Sequence, residues 1–212
     1  MKSKVIIVVA IIALIAVLAF LIVRFAFRTG SIDKNGANAN NKEAKVVSDD
    51  YENILVLYFS WSGNTQSLAK LISDQVGGDL RLIEPVDAYP ESYNATADRA
   101  KKEQDDNARP KYKDLQINLD DYDTIFIGYP IWWYSLPMIM DTIFDDYDFS
   151  GKTIIPFNTH EGSGNGGTYE TIKQLEPNAT VLDGLAIRGG DMSKDQEQTV
   201  KAWLDGLGFK TK

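Results

Sequence analysis

The chain has no cysteine and one histidine, His160, among 212 residues. Without cysteine there is no disulfide framework to indicate a compartment, and no lipid-modified cysteine can anchor the chain. A lone histidine beside Glu161 is a poor metal constellation, because protein metal sites need several converging ligands. Cations are scarce wherever the chain has globular composition. The first 50 residues hold 7 Lys/Arg and 4 Asp/Glu, which leaves 15 basic and 26 acidic side chains after them, a net charge of −11. That balance argues against nucleic acid and against docking on anionic lipid, and it is compatible with basic protein partners. There is no internal repeat.

Long apolar runs are absent too, with one exception. Residues 5–23 are 19 consecutive uncharged apolar positions, preceded by Lys2 and Lys4 and followed by Arg24 and Arg28. This is about the minimum for a membrane-spanning helix. It exceeds a signal-peptide core, and no small-x-small cleavage site follows closely. Residues 1–28 are therefore expected to form a membrane anchor with one transmembrane helix. Basic residues ahead of the apolar core favour a cytoplasmic N-terminus and an extracytoplasmic domain, although Arg24, Arg28, Lys34 and Lys42 count the other way. Residues 29–50, rich in Gly, Asn, Ala and Ser, read as a flexible linker. Residues 51–212 are long enough for one core.

That domain is organised around Ile54-Leu55-Val56-Leu57-Tyr58-Phe59, a β-branched and aromatic run that reads as a buried strand. Ser60-Trp61-Ser62-Gly63-Asn64-Thr65 interrupts it with small and hydroxylated residues. Leu68, Leu71, Ile72, Gln75 and Val76 then fall at helical intervals, and Gly77-Gly78 stops the helix. The arrangement predicts strand, tight polar loop, helix. A loop feeding a helix N-terminus offers unpaired amide N–H groups and a dipole that favours anions. Ser60, Ser62 and Thr65 add hydroxyls, Asn64 adds an amide, and Gly63 lets the backbone come close. No Lys or Arg lies in the loop, and the Lys-Ser/Thr pair of a Walker loop is missing. The site suits a phosphate monoester held by neutral donors. The bland alternative is an ordinary capped turn.

Further along, strands are expected at residues 79–85, 124–128, 152–157 and 181–187. A polar surface helix lies between loops over residues 89–110, and helices are expected from Met138, over 168–175 and over 193–207. Strands alternating with helices imply a parallel sheet covered on both faces. Two more loops stand out. Tyr129-Pro130-Ile131-Trp132-Trp133-Tyr134 follows the third strand, and so many rings in one loop suit either core packing or an aromatic wall for a flat ligand. Residues 158–167 follow the fourth strand with glycines that let backbone amides approach a planar ring. Ligands of doubly wound sheets bind at this rim. His160 reads as a loop-structuring or ring-edge residue more readily than a catalytic one.

These three loops together resemble the flavodoxin family. Ser60 to Thr65 is similar to its phosphate loop, Tyr129-Pro130-Ile131-Trp132-Trp133 to its flavin-stacking loop, and Thr159-His160-Glu161-Gly162-Ser163-Gly164 to its second ring-contacting loop. More narrowly, the chain looks like a bacterial group with Gly-Tyr-Pro-x-Trp-Trp and His-x-Gly-Ser-Gly loops. The resemblance spans residues 54–207 and implies an α/β three-layer sandwich whose five-stranded parallel sheet has the order 2-1-3-4-5. It also implies non-covalent FMN. Ser60, Ser62, Gly63, Asn64 and Thr65 would hold the phosphate. Pro130, Ile131, Trp132, Trp133 and Tyr134 would line or stack on the ring with Trp61 at its side, and Thr159, His160, Glu161, Gly162 and Gly164 would meet its edge. No residue is expected to do covalent chemistry. Three functions follow: an electron carrier serving a redox partner protein at the membrane, an FMN-dependent NAD(P)H:quinone-type reductase, or a flavin-free interaction domain. The anchor and linker are not features of common soluble flavodoxins.

Overall fold

The computed structural model describes residues 51–211. The anchor and linker expected over residues 1–50 lie outside the described residues. Among the described residues, no helix is long and apolar enough to cross a membrane.

Strands and helices alternate in chain order: β1 (Ile54–Tyr58), α1 (Asn64–Val76), β2 (Asp79–Leu82), α2 (Tyr93–Asp105), β3 (Thr124–Pro130), α3 (Met138–Asp146), β4 (Thr153–His160), α4 (Thr168–Leu175), β5 (Thr180–Val181), β6 (Leu185–Arg188) and α5 (Glu197–Leu207). All strand pairings are parallel, and the order is β2-β1-β3-β4-β5, with β6 also on β4. This is the expected 2-1-3-4-5 order.

Strand alternation sorts the core into two layers. Leu55, Leu57, Ile125, Ile127 and Ile154 pack on one face with Ile139, Met140 and Ile143 of α3 and Ile172 of α4. Val56, Tyr58, Phe126, Ile155 and Phe157 pack on the other with Leu68, Ala69 and Ile72 of α1 and Val200 and Leu204 of α5. A side chain flips face at each residue, so one run of apolar residues serves both layers.

The fifth strand position departs from expectation. Residues 181–187 do not form one strand: β5 pairs with the start of β4 and β6 with its end, and the register between them slips by one residue. Pro156 supplies the reason. Thr180 and Leu182 donate to the carbonyls of Lys152 and Ile154, each at 2.9 Å, so even-numbered residues of β4 face this edge. Pro156 faces it as well and has no N–H to give, so the ladder breaks and the neighbouring strand bulges. Gly184 makes the bulge possible: a Cβ there would lie 2.5 Å from the Pro156 carbonyl and 2.5 Å from the Tyr169 ring. A second departure is that residues 189–193 form a 3-10 segment, so the closing helix starts at Glu197 instead of Ser193.

Candidate functional site

The loop after β1 turns on Gly63, whose φ of 90° is left-handed backbone that an L side chain resists. The Gly63 N–H donates to Ser60 Oγ at 3.2 Å and its carbonyl accepts from the Ser67 N–H at 2.9 Å, which starts α1. No side chain caps the α1 N-terminus, and its first turn holds no acidic residue. The leading amides are thus left for an outside acceptor. Ser62 is exposed, whereas Ser60 and Asn64 are half-buried. Thr65 is buried, and its hydroxyl meets the Thr159 hydroxyl at 2.8 Å. This bond ties the loop after β1 to the end of β4. When Thr159 donates, the Thr65 proton remains for an anion.

The residues at the end of β3 and in the turn after it divide by role. Tyr129 is fully buried and its hydroxyl meets Thr168 Oγ1 at 2.9 Å; burial pushes the phenol pKa up. Pro130 ends the strand, and the Ile131 N–H donates to the Thr159 carbonyl at 2.8 Å. Trp132 packs edge-on against Phe59 and Tyr89, with centroids 5.3 and 4.9 Å away. Trp132 and Ser135 exchange backbone hydrogen bonds of 3.0 and 2.9 Å, which closes a two-residue hairpin. Its central residues, Trp133 and Tyr134, have φ of 49° and 60°. Two successive positive φ values are the mark of a type I′ turn, normally filled by Asn-Gly. Bulky aromatics there are strained, and strain of this kind gathers at functional sites. Trp133 is 49 % exposed and Tyr134 77 %.

The loop after β4 is braced from below. Buried Asn158 donates through Nδ2 to the Gly164 carbonyl at 3.1 Å and accepts from the Tyr169 hydroxyl at 2.7 Å. Thr168 Oγ1 donates to the Asn165 carbonyl at 2.6 Å. His160 Nδ1 accepts the Gly162 N–H at 2.9 Å, so the histidine shapes its own loop. Glu161 is exposed and lies 3.7 Å from Arg188 Nε. Nearby, a hydrogen bond from Lys194 and its charge hold the Asp191 carboxyl below the usual range, with smaller help from Arg188 and His160.

These loops bound a cleft of about 460 Å³, within the usual range for small-molecule sites. Trp61, Ile131, Trp132, Trp133, Tyr134, Glu161, Gly162 and Ser163 line it on the loop side. Glu161 is the one charged residue among its lining. Trp61 is fixed by a 2.9 Å bond from its indole N–H to the Pro90 carbonyl.

A model of the flavodoxin family matches residues 53–207. The chain belongs to that family. A candidate flavoprotein of Bacteroides eggerthii is 34 % identical, with 74 % of this chain and 99 % of that one covered and a TM-score of 0.66. One of Bacteroides uniformis is 33 % identical over 72 % of this chain and 97 % of that one, with a TM-score of 0.65. A flavoprotein of Lactobacillus acidophilus solved in complex with FMN shares the fold at 22 % identity, covering 66 % of this chain and 96 % of that one, with a TM-score of 0.57. No curated protein matches the chain.

Sequence reasoning missed one wall of this flavodoxin cleft. Tyr93, Thr96, Ala97 and Ala100 of α2 close the side facing the aromatic turn, and the Trp133 indole N–H donates across to the Ala97 carbonyl at 2.9 Å. The signal was present as two i, i+4 pairs, Tyr93 with Ala97 and Thr96 with Ala100, on an otherwise charged helix. The polar composition of residues 89–110 masked it. Arg188, which ends β6, and Gly189 after it were also missed.

Proposed function

We propose that this flavodoxin-family chain binds FMN non-covalently and serves as a membrane-tethered electron-transfer protein. The observation that carries the reading is an uncapped, acid-free helix N-terminus fed by the loop whose Trp61 lines the aromatic-walled cleft. The residues fit the group. The α1 amides with Ser60, Ser62, Asn64 and Thr65 would hold the phosphate as neutral donors. An added Cβ at Gly63 would meet nothing within 4 Å, so the ground above this turn is open. Trp61, Trp133 and Tyr134 would flank the ring, and the backbone of residues 159–164 would meet its edge. Trp132 is spent on Phe59 and Tyr89 and acts as support for the wall.

Bound FMN supplies reversible electron transfer, which no side chain of this chain can perform alone. The chain's contribution is to hold and surround it. Aromatic faces would shield a bound ring from water, and the single carboxylate at the cleft edge, Glu161, would raise the cost of extra negative charge there. The apolar segment of residues 5–23 supports tethering to the membrane, with the domain on the outer side.

A second reading, an NAD(P)H:quinone-type reductase, draws on the wall formed by α2, which gives the cleft a side beyond the three loops. One experiment separates the two. The full chain is purified, supplied with FMN, and given NADH or NADPH anaerobically while visible absorption is followed. A carrier keeps its flavin bands with nicotinamide and loses them with dithionite. Bleaching by nicotinamide alone favours the reductase, and failure to take up FMN sinks both readings and leaves an interaction domain. A C-terminal reporter degraded by protease on intact cells is expected if the domain lies outside; full protection would put it inside.

A further inference from the structure

The phosphate loop contains no cation, yet one stands at its edge. Arg188 ends β6 directly opposite His160 in the register with β4, which places it on the rim where the three loops meet. Gly189 follows and forms a point of contact between separate parts of the site. A Cβ on Gly189 would lie 2.6 Å from Glu161 Oε1 and 2.7 Å from Asn64 Nδ2. The ring-edge loop, the phosphate loop and the Arg188 segment therefore come together at Gly189, where any larger residue would have to push the Glu161 and Asn64 side-chain ends aside. Glu161 presents its other oxygen to Arg188 Nε at 3.7 Å, too far for a hydrogen bond, so the guanidinium is loosely held. The other cation of this corner is committed: Lys194 Nζ donates to Asp191 at 2.7 Å, while His160, whose Nδ1 accepts the Gly162 N–H, shapes its own loop.

We propose that Arg188 and Glu161 form a charge pair that makes the site selective for phosphorylated flavin over unphosphorylated riboflavin. This rests on the FMN reading above. A phosphate monoester near neutral pH carries close to two negative charges, and neutral donors compensate them only in part. Arg188 supplies the missing charge from the edge of the loop, with a planar fork suited to phosphate oxygens. Glu161 works in the opposite direction. Its carboxylate lies beside the Asn64 amide, holds the guanidinium when no phosphate is present, and repels an incoming dianion. The pair thus grades affinity for the phosphate, and Arg188, which is not among the residues lining the cleft, does so without touching the ring contacts.

The test is a fluorescence titration of the full chain with FMN and, separately, with riboflavin, at low and high salt. Arg188→Gln is expected to weaken FMN by about threefold to tenfold with little change for riboflavin, in keeping with one partly exposed charge-assisted contact. Arg188→Lys keeps most of the wild-type ratio, and Glu161→Gln tightens FMN about twofold to fivefold by the same reasoning on one exposed like charge. The wild-type preference for FMN shrinks at high salt and that of Arg188→Gln does so less. Arg188 and Glu161 are both largely exposed, so folding is not at stake. An FMN-to-riboflavin ratio unchanged in Arg188→Gln, or both flavins weakened equally, overturns this inference and leaves the function intact. A wild-type chain that takes up neither flavin overturns the functional reading itself.

Discussion

The loop after β1 and the turn after β3 solve the same backbone problem with opposite residues. Each must swing through left-handed φ at the carboxyl end of a parallel strand. The first uses Gly63, at 90°, where the conformation is free of strain; the second uses Trp133 and Tyr134, at 49° and 60°, where it is not. On the FMN reading proposed above, the difference follows from what each loop would present. A phosphate is recognised by backbone amides, so a missing side chain is an advantage. A flat ring is recognised by other flat rings, so the turn keeps two large aromatics where Asn-Gly would be more stable. One loop is shaped by removal of side chains, the other by retention of them against local strain.

The first loop should break most severely at its anchor. Thr65→Val keeps the shape and removes the hydroxyl, leaving Thr159 buried without its partner. We expect a loss of about 1–3 kcal/mol of stability from the orphaned group, read by denaturant unfolding, together with weaker FMN binding. Next comes Gly63→Ala. Nothing within 4 Å would clash with the methyl, so its cost of about 1–2 kcal/mol is purely conformational. If Gly63→Ala is neutral, the loop is not bound to left-handed backbone.

The aromatic turn should respond with the opposite sign. Replacing Trp133 by Asn and Tyr134 by Gly relieves two strained positions and removes the bond to Ala97, for a net stability gain of about 1 kcal/mol. The same double variant should lose about tenfold in FMN affinity if each ring contributes roughly 0.5–1.5 kcal/mol of stacking. A variant that gains stability and binds FMN unchanged would show that the strain serves something else.

The smallest effect lies away from both loops and acts as a control. Glu176 caps the carboxyl end of α4, where partial burial, then Asp148 and Asp145, push its pKa from 4.5 up to about 7. A carboxyl raised on folding binds its proton more tightly in the native state, so its contribution is present below about pH 4.5 and is lost as pH rises through about 7. Solvent screening keeps this below about 1 kcal/mol. Glu176→Gln should flatten that part of the stability profile in thermal melts at pH 5 and pH 8, with FMN affinity unmoved.

Much of this architecture was legible in the residues. Apolar runs at residues 54–59, 124–128 and 152–157 announced buried strands because both faces of a parallel sheet are covered, and Gly77-Gly78 marked the end of α1, where Gly77 takes a left-handed cap. The strand, turn and helix around Gly63 could be read because their signals are local. The rest depends on partners distant in sequence. The split of the fifth strand required knowing that Pro156 faces that edge. The α2 wall required folding a charged helix against the aromatic turn. The division of Trp132 from Trp133 was not readable either, since adjacent residues in a turn point to different neighbours, Phe59 and Tyr89 for one and Ala97 for the other.

The most direct measurement is a crystal structure of the chain grown with FMN. The phosphate is expected against the amides of residues 62–65 and the ring within the cleft between Trp61 and the Trp133-Tyr134 turn. FMN seated elsewhere, or a phosphate held by side chains remote from the α1 N-terminus, would contradict it.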